Sequence, residues 1–595
     1  MSLFAELAKR RVFATAAIYV PAAWLAAEIL LAVFDRFQAP AWAGDIVVIL
    51  FLLGFPVALL LSWLFDLTSE GVKRASPGTP LGIITLLASG LFLSVGTYVS
   101  YQVFSGRLDE FRVAVLPFQT SELNEAAAPY GSGIADDVRS ALRRLPYFRV
   151  PAQTSSEAVL NMGLDIPGIA KRLGVDFVLE GTLELVGDQL QIDVVLLDEG
   201  GETLWSERYE RAVREVFELQ RDLLRSLSSE LGVEESSPFL QAQLEEPAPT
   251  SDPEAYRLYL SGRILPEDFD KPEGERRRMQ AFMAARQRDP GYAAVYAAIA
   301  GEYATECWIL DDRTSHKCDL AIKFAEEGLK LDGQLPDAWA VLAMVRALRY
   351  DWVGAQEAID HFYDLPSPDV ISSSLPAAHW NLGRFQEAWD SLMESYENDP
   401  LNPMNSFVAG AWAYMLLEDR ELSDQFAILA QELQPGMNYG GWPDIAVHRL
   451  PMDQAIENGR QSYDMFQEGA DWAPVIVPVI YGEAEAESTW AEIDRWLAEG
   501  KIRPATYWWM LAYVNRIDDY IDLSFELYDE QTLNPAWMLT GVPNHEAIRT
   551  HPRFLELMAY IGYSDYWNEV GWPSFCKLVE GVRQCDGEPV AENTQ

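Results

Sequence analysis

The sequence lacks most of the short motifs that identify enzymes and metalloproteins. It contains no GxGxxG loop, no phosphate loop ending in Gly-Lys-Ser/Thr, no GxSxG nucleophile elbow and no CxxC pair. Those motifs place backbone amides on phosphates, a serine on a strained turn, or thiolates on one metal ion. The sequence therefore predicts no catalytic residue, no bound cofactor and no metal ligand, and we expect that the chain is not an enzyme.

Histidine is also scarce, with six residues in a chain of 595. His545 and Glu546 begin like the zinc-protease motif HExxH, but the next histidine is His551. Two histidines must lie four residues apart to present both rings to one metal ion from one helix face. This spacing therefore argues against a zinc site.

Basic residues are few relative to acidic residues. Lys and Arg total 45, Asp and Glu total 90, and the net charge is −45. A nucleic-acid-binding protein needs a basic surface for the phosphates, so this charge argues against DNA or RNA as a partner. It weakly favours a basic or cation-bearing partner. Residues 1–104 hold six acids and six bases, so the whole excess lies beyond residue 104.

The four cysteines form two pairs that are close in sequence, Cys307 with Cys318 and Cys576 with Cys585. In an oxidising compartment each pair could close a short loop and stabilise the fold by about 2–4 kcal/mol. Four free, buried thiols are the alternative. The sequence does not decide between these two states.

Three long apolar windows lie in the first 104 residues, at 13–34, 46–65 and 81–104. Each is long enough, at about 1.5 Å per residue, to cross a hydrocarbon core of about 30 Å. Bases precede the first window and lie between the second and third, and the positive-inside rule places both groups in the cytoplasm. The sequence thus predicts a multi-pass protein of the bacterial inner membrane with residues 105–595 in the periplasm.

A compact α/β domain is predicted over residues 111–232. Its elements are a strand, an amphipathic helix, a short strand, a short helix, three strands and a closing helix, at 112–118, 130–145, 148–150, 166–173, 176–186, 189–198, 202–209 and 213–231. Gly187-Asp188 and Glu199-Gly200-Gly201 suit hairpin turns. Gly131-Ser132-Gly133 resembles an anion loop, but Asp136 and Asp137 would repel phosphate, so a tightly turned helix start is the better interpretation.

Beyond a Pro-, Ser- and Glu-rich stretch at 233–252, which is typical of a linker, the pattern is helical. Breaks follow one another at steps of 43, 33, 34 and 35 residues, at Asp289-Pro290, Asp332-Gly333, Leu365-Pro366, Asp399-Pro400 and Gln434-Pro435. A recurring period of this length indicates paired-helix repeats. We predict repeats over 253–435, and degenerate helical repeats with a C-terminal cap over 436–595.

Two families resemble these segments. The period and the small and aromatic positions, clearest over 383–400, are similar to tetratricopeptide repeats. The block 111–231 resembles the TolB N-terminal-like (FlgO-like) domain of bacterial envelope proteins, through segments 113–118, 130–137, 173–181 and 204–209. The front end is similar to the membrane segment often joined to that domain in Gram-negative proteins. The predicted fold class is therefore multidomain: N-terminal transmembrane helices, a small α/β domain and a C-terminal all-α tetratricopeptide-like solenoid.

The resemblance implies architecture more than activity. Some relatives carry a winged helix or a nucleotide-cyclase domain ahead of the membrane segment, and the residues before the first window leave no room for either. We expect a membrane-anchored periplasmic scaffold that binds protein or peptide partners, such as envelope components, through its repeat surface. The alternatives are a ligand sensor or enzyme whose site the sequence does not reveal, and a regulator that acts through a membrane partner.

Overall fold

The computed structural model describes residues 65–68, 71–74, 111–121, 124, 126–264, 272–309, 315–365, 374–434, 450–466, 471–541 and 544–586. The chain divides into two compact units, residues 1–109 and 110–595. The described residues of the first unit form one antiparallel hairpin of β1 (Phe65–Thr68) and β2 (Gly71–Arg74). Those of the second unit form a small α/β part followed by a long series of helices.

Among these described residues, no helix combines the length and the apolar character needed to cross a membrane. The predicted windows at 13–34, 46–65 and 81–104 lie outside the described residues, apart from Phe65 at the start of β1. The predicted fold class is therefore corrected to a mostly helical chain with a small α/β part. The predicted inner-membrane and periplasmic localisation rested on the three windows and is contradicted by the same finding.

The α/β part (residues 111–245) follows the strand and helix order expected from the sequence. Its strands are β3 (Phe111–Val115), β4 (Gln119–Thr120), β5 (Phe148–Arg149), β6 (Phe177–Val186), β7 (Gln189–Asp198) and β8 (Thr203–Ala212). Its helices are α1 (Ala128–Arg143), α2 (Gln153–Asn161), α3 (Ile166–Leu173), α4 (Val216–Glu230) and α5 (Pro238–Glu245). The predicted order of elements is confirmed, whereas β4, α2 and α5 were not predicted.

The strands of the α/β part form one mixed sheet in the order β5-β3-β6-β7-β8, with β4 beside β6. β3 runs parallel to β5 and β6, and β6, β7 and β8 form an antiparallel meander. Successive residues of a strand face opposite sides of a sheet. Accordingly, Val113 and Val115 join the core beneath α1 and α4, whereas Ala114 joins a second core beneath α2 and α3.

The stretch 233–252, predicted as a linker, contains helix α5. Leu240 and Leu244 are buried in the same core as residues of α1 and α4. Tyr147, which follows α1, packs edge-on against Phe239 with ring centroids 6.2 Å apart. The stretch is therefore not only a linker, because it contains a short amphipathic helix that belongs to the α/β part.

The described residues between 253 and 434 form an array of consecutive helix pairs, called here the helical array. Its helices are α6 (Pro253–Arg263), α7 (Pro272–Arg288), α8 (Ala293–Ile309), α9 (His316–Leu331), α10 (Pro336–Leu348), α11 (Trp352–Tyr363), α12 (Ser374–Asn381), α13 (Phe385–Asn398), α14 (Pro403–Leu417) and α15 (Arg420–Leu433). The predicted breaks at 289–290, 332–333, 365–366 and 399–400 all follow the second helix of a pair. The predicted period therefore marks real helix boundaries.

The helices after residue 450 fold back on the array instead of only extending it. They are α16 (Met452–Phe466), α17 (Ala473–Ile480), α18 (Ala486–Ala498), α19 (Pro504–Tyr513), α20 (Ile517–Asp529), α21 (His545–Arg549), α22 (Phe554–Tyr560) and α23 (Tyr563–Val570), followed by β9 (Lys577–Val579) and β10 (Val582–Gln584). Trp352 Nε1 donates to the carbonyl of Ile561 at 2.9 Å, and Trp567 Nε1 donates to that of Leu382 at 3.0 Å. In a linear stack each repeat contacts only its neighbours. The C-terminal helices therefore brace the middle of the array.

The four cysteines lie in two disulfides that join residues close in sequence. Cys307–Cys318 links the end of α8 to the start of α9, and Cys576–Cys585 closes the β9–β10 hairpin. The oxidation state of these pairs in the cell stays a prediction.

Candidate functional site

The histidines that suggested a zinc motif have separate partners. His551 Nε2 lies 3.0 Å from Asp518 Oδ1, and its Nδ1 accepts a hydrogen bond from the Arg553 amide. His545 Nε2 lies 3.7 Å from Glu418 Oε1. Within the described ranges, no three His, Cys, Asp or Glu side chains are arranged to hold a metal ion. These histidines form polar pairs between helices.

The Gly131-Ser132-Gly133 segment lies inside α1, which begins at Ala128, and not at the start of a helix as predicted. A Cβ atom at Gly131 would lie 2.5 Å from the carbonyl oxygen of Phe118, and one at Gly133 would lie 2.5 Å from the side chain of Leu260. The two glycines therefore allow α1 to approach the sheet on one side and helix α6 of the array on the other. The motif serves close packing between the two parts of the chain.

Paired charged side chains lie where α1 approaches α6. Arg139 on α1 contacts Asp136 through Nη1 and Oδ1 at 2.5 Å and donates from Nη2 to the carbonyl of Val115 at 2.7 Å. Arg263 of the array contacts the other oxygen of Asp136. Because Asp136 is 5% exposed and Arg139 is 1% exposed, both charges are removed from water and depend on each other.

Asp137 extends the same network. Its Oδ1 lies 3.3 Å from Arg263 Nη1, and its Oδ2 accepts hydrogen bonds from Tyr256 and, at 2.9 Å, from Gln220. We call the set Asp136, Asp137, Arg139, Tyr256 and Arg263 the charged joint. It connects α1 of the α/β part to α6 of the helical array.

Burial shifts the titration of the charged joint. It raises the pKa of Asp137, although hydrogen bonds from Tyr256 and Gln220 act in the opposite direction. Burial also lowers the pKa of Arg139 to about 10 and lowers that of Arg263. Clusters of carboxylates and cations with shifted pKa values are typical of functional sites, although structural ion pairs also have shifted pKa values.

Two members of the charged joint are only partly buried. The side chains of Arg263 and Asp137 keep 29% and 26% of their exposure. The Arg263 guanidinium lies 5.5 Å from the centre of the Tyr259 ring, a cation–π contact. Asp337 on α10 is exposed, and its charge interacts with that of Arg263.

Sequence reasoning identified only part of this site. Asp136 and Asp137 were noted as residues that repel phosphate, whereas Arg139, Tyr256 and Arg263 were not singled out. The spacing of Asp136 and Arg139, three residues apart on an amphipathic helix, could have indicated their ion pair. No pattern in the sequence links that pair to Arg263, which lies more than one hundred residues away.

A second buried polar group lies in the array. His379 on α12 is 6% exposed, and neither ring nitrogen has a hydrogen-bond partner within the part of the chain that the structure describes. Burial lowers the pKa of His379 from 6.5 to about 4. Glu387 raises this pKa to a smaller extent, and Arg384 lowers it further. The imidazole is therefore neutral in the folded protein at neutral pH.

His379 should make the fold sensitive to acid. The unfolded chain binds the proton below pH 6.5 and the folded chain only near pH 4, so stability is lost as the pH falls between these values. We expect the wild type to lose about 2 kcal/mol more than His379→Leu between pH 7 and pH 5. Urea unfolding of both proteins at the two pH values measures this difference. Equal losses in the two proteins would contradict a neutral, buried His379.

Comparison with known proteins gives one partial similarity. The chain is 28% identical over 254 residues to the protein named "Putative adenylate cyclase 3" of Rhizobium meliloti (strain 1021). The match covers 42% of this chain and 42% of that protein, so the chain spans less than half the length of the relative. No family model matches the chain.

These comparisons correct two predictions. The expectation that the chain is not an enzyme is contradicted, because the name of the relative points to a possible enzyme. The assignment of residues 253–435 to tetratricopeptide repeats has no support from any family model and is corrected to an array of helix pairs. The resemblance of 111–231 to the TolB N-terminal-like domain stays a prediction.

Proposed function

We propose that the chain is a ligand-responsive regulatory module. In this proposal a ligand or peptide partner binds at the charged joint and changes how the α/β part sits on the helical array. The observation that carries the proposal is the joint itself, where Asp136, Asp137, Arg139 and Arg263 pair across the two parts while Asp137 and Arg263 keep part of their exposure. This role corresponds to the ligand sensor that the sequence left as an alternative.

Two physical arguments support a regulatory role for such a joint. Buried ion pairs contribute little net stability compared with apolar packing, but breaking one partner is costly, so they favour one arrangement over others. Polar interfaces between parts of a chain also permit relative motion more readily than large apolar ones. A ligand that offers a new partner to Asp137 would therefore shift the arrangement by its differential affinity for the two states.

A cation-bearing ligand fits this site best. Asp136 and Asp137 contact Arg263, and the charge of Asp337 also interacts with that of Arg263, so three carboxylates surround this one guanidinium. Tyr259 adds an aromatic face that already contacts a guanidinium. A basic side chain of a peptide would contact both the carboxylates and the Tyr259 ring, in agreement with the acidic net charge of the chain.

Hydrogen exchange of the full chain tests the proposal. An arginine-rich peptide is compared with the same peptide in which citrulline replaces every arginine. We expect the arginine peptide alone to change exchange in α1 and α6, and Asp137→Asn to abolish that response. Asp193→Asn is the matched control, because Asp193 forms an exposed ion pair with Arg208 elsewhere on the α/β part. Equal effects of the two peptides on α1 and α6 would contradict the proposal.

A second candidate function is the cyclisation of a nucleotide. The observation that favours it is the name of the relative, which matches 42% of this chain. The test incubates the purified chain with ATP and Mg²⁺ or Mn²⁺ and measures cyclic AMP by mass spectrometry. Product above the level of a protein-free control supports this candidate. Its absence, under conditions in which a known cyclase is active, favours the regulatory module.

A further inference from the structure

Residues 380–384, called here the docking strip, hold the C-terminal helices against the array. The carbonyl of Asn381 accepts a hydrogen bond from Tyr563, and the carbonyl of Leu382 accepts one from Trp567 Nε1 at 3.0 Å. Tyr563 and Trp567 both lie on α23 and are fully buried. The backbone of the docking strip therefore determines where α23 packs.

Both ends of the docking strip make further contacts with the C-terminal residues. At one end, Trp380 Nε1 donates to Thr540 Oγ1 at 3.3 Å. At the other end, Arg384 Nη1 donates to the carbonyl of Val570 at 3.4 Å. The strip is thus bonded to residues that come before, within and at the end of the last helices.

His379, the residue before the docking strip, fixes the conformation of the strip. The His379 carbonyl accepts hydrogen bonds from the amides of Leu382 and Arg384 at 3.1 Å and 2.9 Å. Its imidazole is 6% exposed, and within the described ranges neither ring nitrogen has a hydrogen-bond partner. Burial without a partner penalises an imidazolium far more than a neutral imidazole. The strip is therefore attached to a ring whose environment suits only its neutral form.

The charged groups around the imidazole give little support to a proton on it. Glu387 favours the charged ring and Arg384 disfavours it. Glu387 is already engaged by Arg384, whose Nε donates to Glu387 Oε1 at 2.8 Å. On α11 the titratable group beside the imidazole is Tyr363, with ring centroids 6.4 Å apart, and α14 carries Tyr414. Both are phenols, which are neutral at and below pH 7.

The other elements that pack against α12 supply no compensating charge. On α10, Asp337 interacts with Arg263, and Arg346 pairs with Glu326. Helix α14 and residues 537–541, whose aromatic rings contact α12, contain no Asp, Glu, Lys, Arg or His. Among the described residues, a proton on His379 therefore has no anion that is not already paired.

We propose that His379 is an acid-sensitive switch that releases the C-terminal helices from the array. A protonated imidazole favours a state in which the ring reaches water, and the docking strip must turn away from the array in that state. Because the strip carries the carbonyls that accept from Tyr563 and Trp567, its movement frees α23. This inference concerns contacts other than the charged joint and does not rest on the proposed function.

Hydrogen exchange of the full chain at pH 7 and pH 5 tests the switch. The wild type is compared with His379→Leu, whose side chain binds no proton. After correction for the intrinsic pH dependence of amide exchange, we expect α23 to lose about twentyfold more protection in the wild type than in the variant. That factor follows from an imidazole whose pKa rises from about 4 to 6.5 when the ring reaches water.

The same experiment measures how much of the chain is released. At pH 5 we expect the wild-type amides of α23 to exchange at least about tenfold faster than those of α1, because release of the C-terminal helices leaves the α/β part folded. His361→Leu is the matched control, since His361 is exposed and stacks on Trp339 with ring centroids 4.4 Å apart. This variant should keep the wild-type response of α23 to pH.

Two results would overturn the proposal. One is an equal loss of α23 protection in the wild type and in His379→Leu between pH 7 and pH 5. The other is equal protection of α23 and α1 in the wild type at pH 5, since His379 then acts only through unfolding of the whole second unit. If His379→Leu does not fold, His379→Gln replaces it, because glutamine is also neutral at both pH values, and the same two criteria apply.

Discussion

Arg139→Met is expected to destabilise the second unit by about 3–5 kcal/mol, the usual cost of removing one member of a buried ion pair. Arg139 is 1% exposed. Its guanidinium pairs with Asp136 and also donates a hydrogen bond to the carbonyl of Val115. Methionine fills much of the same volume but leaves the Asp136 carboxylate with Arg263 as its remaining cation. Urea unfolding of the full chain, followed by circular dichroism, measures the change.

A double variant separates the ion pair from general packing. In Asp136→Leu/Arg139→Met, both buried charges are replaced by apolar side chains, and we expect a smaller loss than the sum of the two single losses. Arg208→Gln is the control, since the Arg208 and Asp193 side chains are 65% and 45% exposed. That change should cost less than about 1 kcal/mol. Equal losses for Arg139→Met and Arg208→Gln would show that the charged joint is not buried in solution.

Trp567→Ala is expected to release the C-terminal helices from the array and to cost about 3–5 kcal/mol, as for other buried aromatic side chains. Trp567 is fully buried, stacks on Tyr563 with ring centroids 4.6 Å apart and donates to the carbonyl of Leu382. It also fills the space beside Gly383, whose φ is +71° and where a Cβ would lie 2.8 Å from the indole ring. Thermal unfolding measures the loss, and limited proteolysis should cut the variant near residues 545–570 first.

The control for this prediction is Trp308→Ala, since Trp308 is 37% exposed. Replacing it should change the free energy of unfolding by about 0.5 kcal/mol or less. Gly383→Ala should instead resemble Trp567→Ala, because it disturbs the same contact from the array side and strains a left-handed backbone. If Trp567→Ala and Trp308→Ala lose similar stability, the C-terminal helices do not brace the array.

Local patterns in the sequence predicted much of the secondary structure. The alternation in 176–209 with Gly187-Asp188 gave the antiparallel meander, and the breaks near 290, 333, 366 and 400 gave the helix boundaries of the array. The meander and the helix boundaries are both determined by residues close in sequence, through the spacing of apolar side chains and the conformations of turns. The fold class predicted from the windows at 13–34, 46–65 and 81–104 is wrong, since the described residues contain no helix able to cross a membrane.

The candidate site depends on contacts between residues that are distant in the chain, and these left little trace in the sequence. Asp399 was recognised as a helix break, but nothing near it indicates that it caps a helix beginning at residue 153. Ala152 at that cap even argued against a helix, because alanine is a poor N-cap residue. Gly133 was interpreted as a turn, while its function is to admit Leu260 from the array. Local rules fail here because the missing interaction is supplied by tertiary structure.

The distance between the two parts of the second unit tests the central claim most directly. Spin labels at Val186→Cys on the α/β part and Leu331→Cys on the array occupy exposed positions, and the native cysteines are paired. The account predicts one narrow distance distribution for the otherwise native chain. Arg263→Ala with Asp399→Asn should add a second, longer distance while circular dichroism stays unchanged. A single, unaltered distance in that variant would contradict the claim that the charged joint and the hydrogen bonds between Ser155 and Asp399 hold the two parts together.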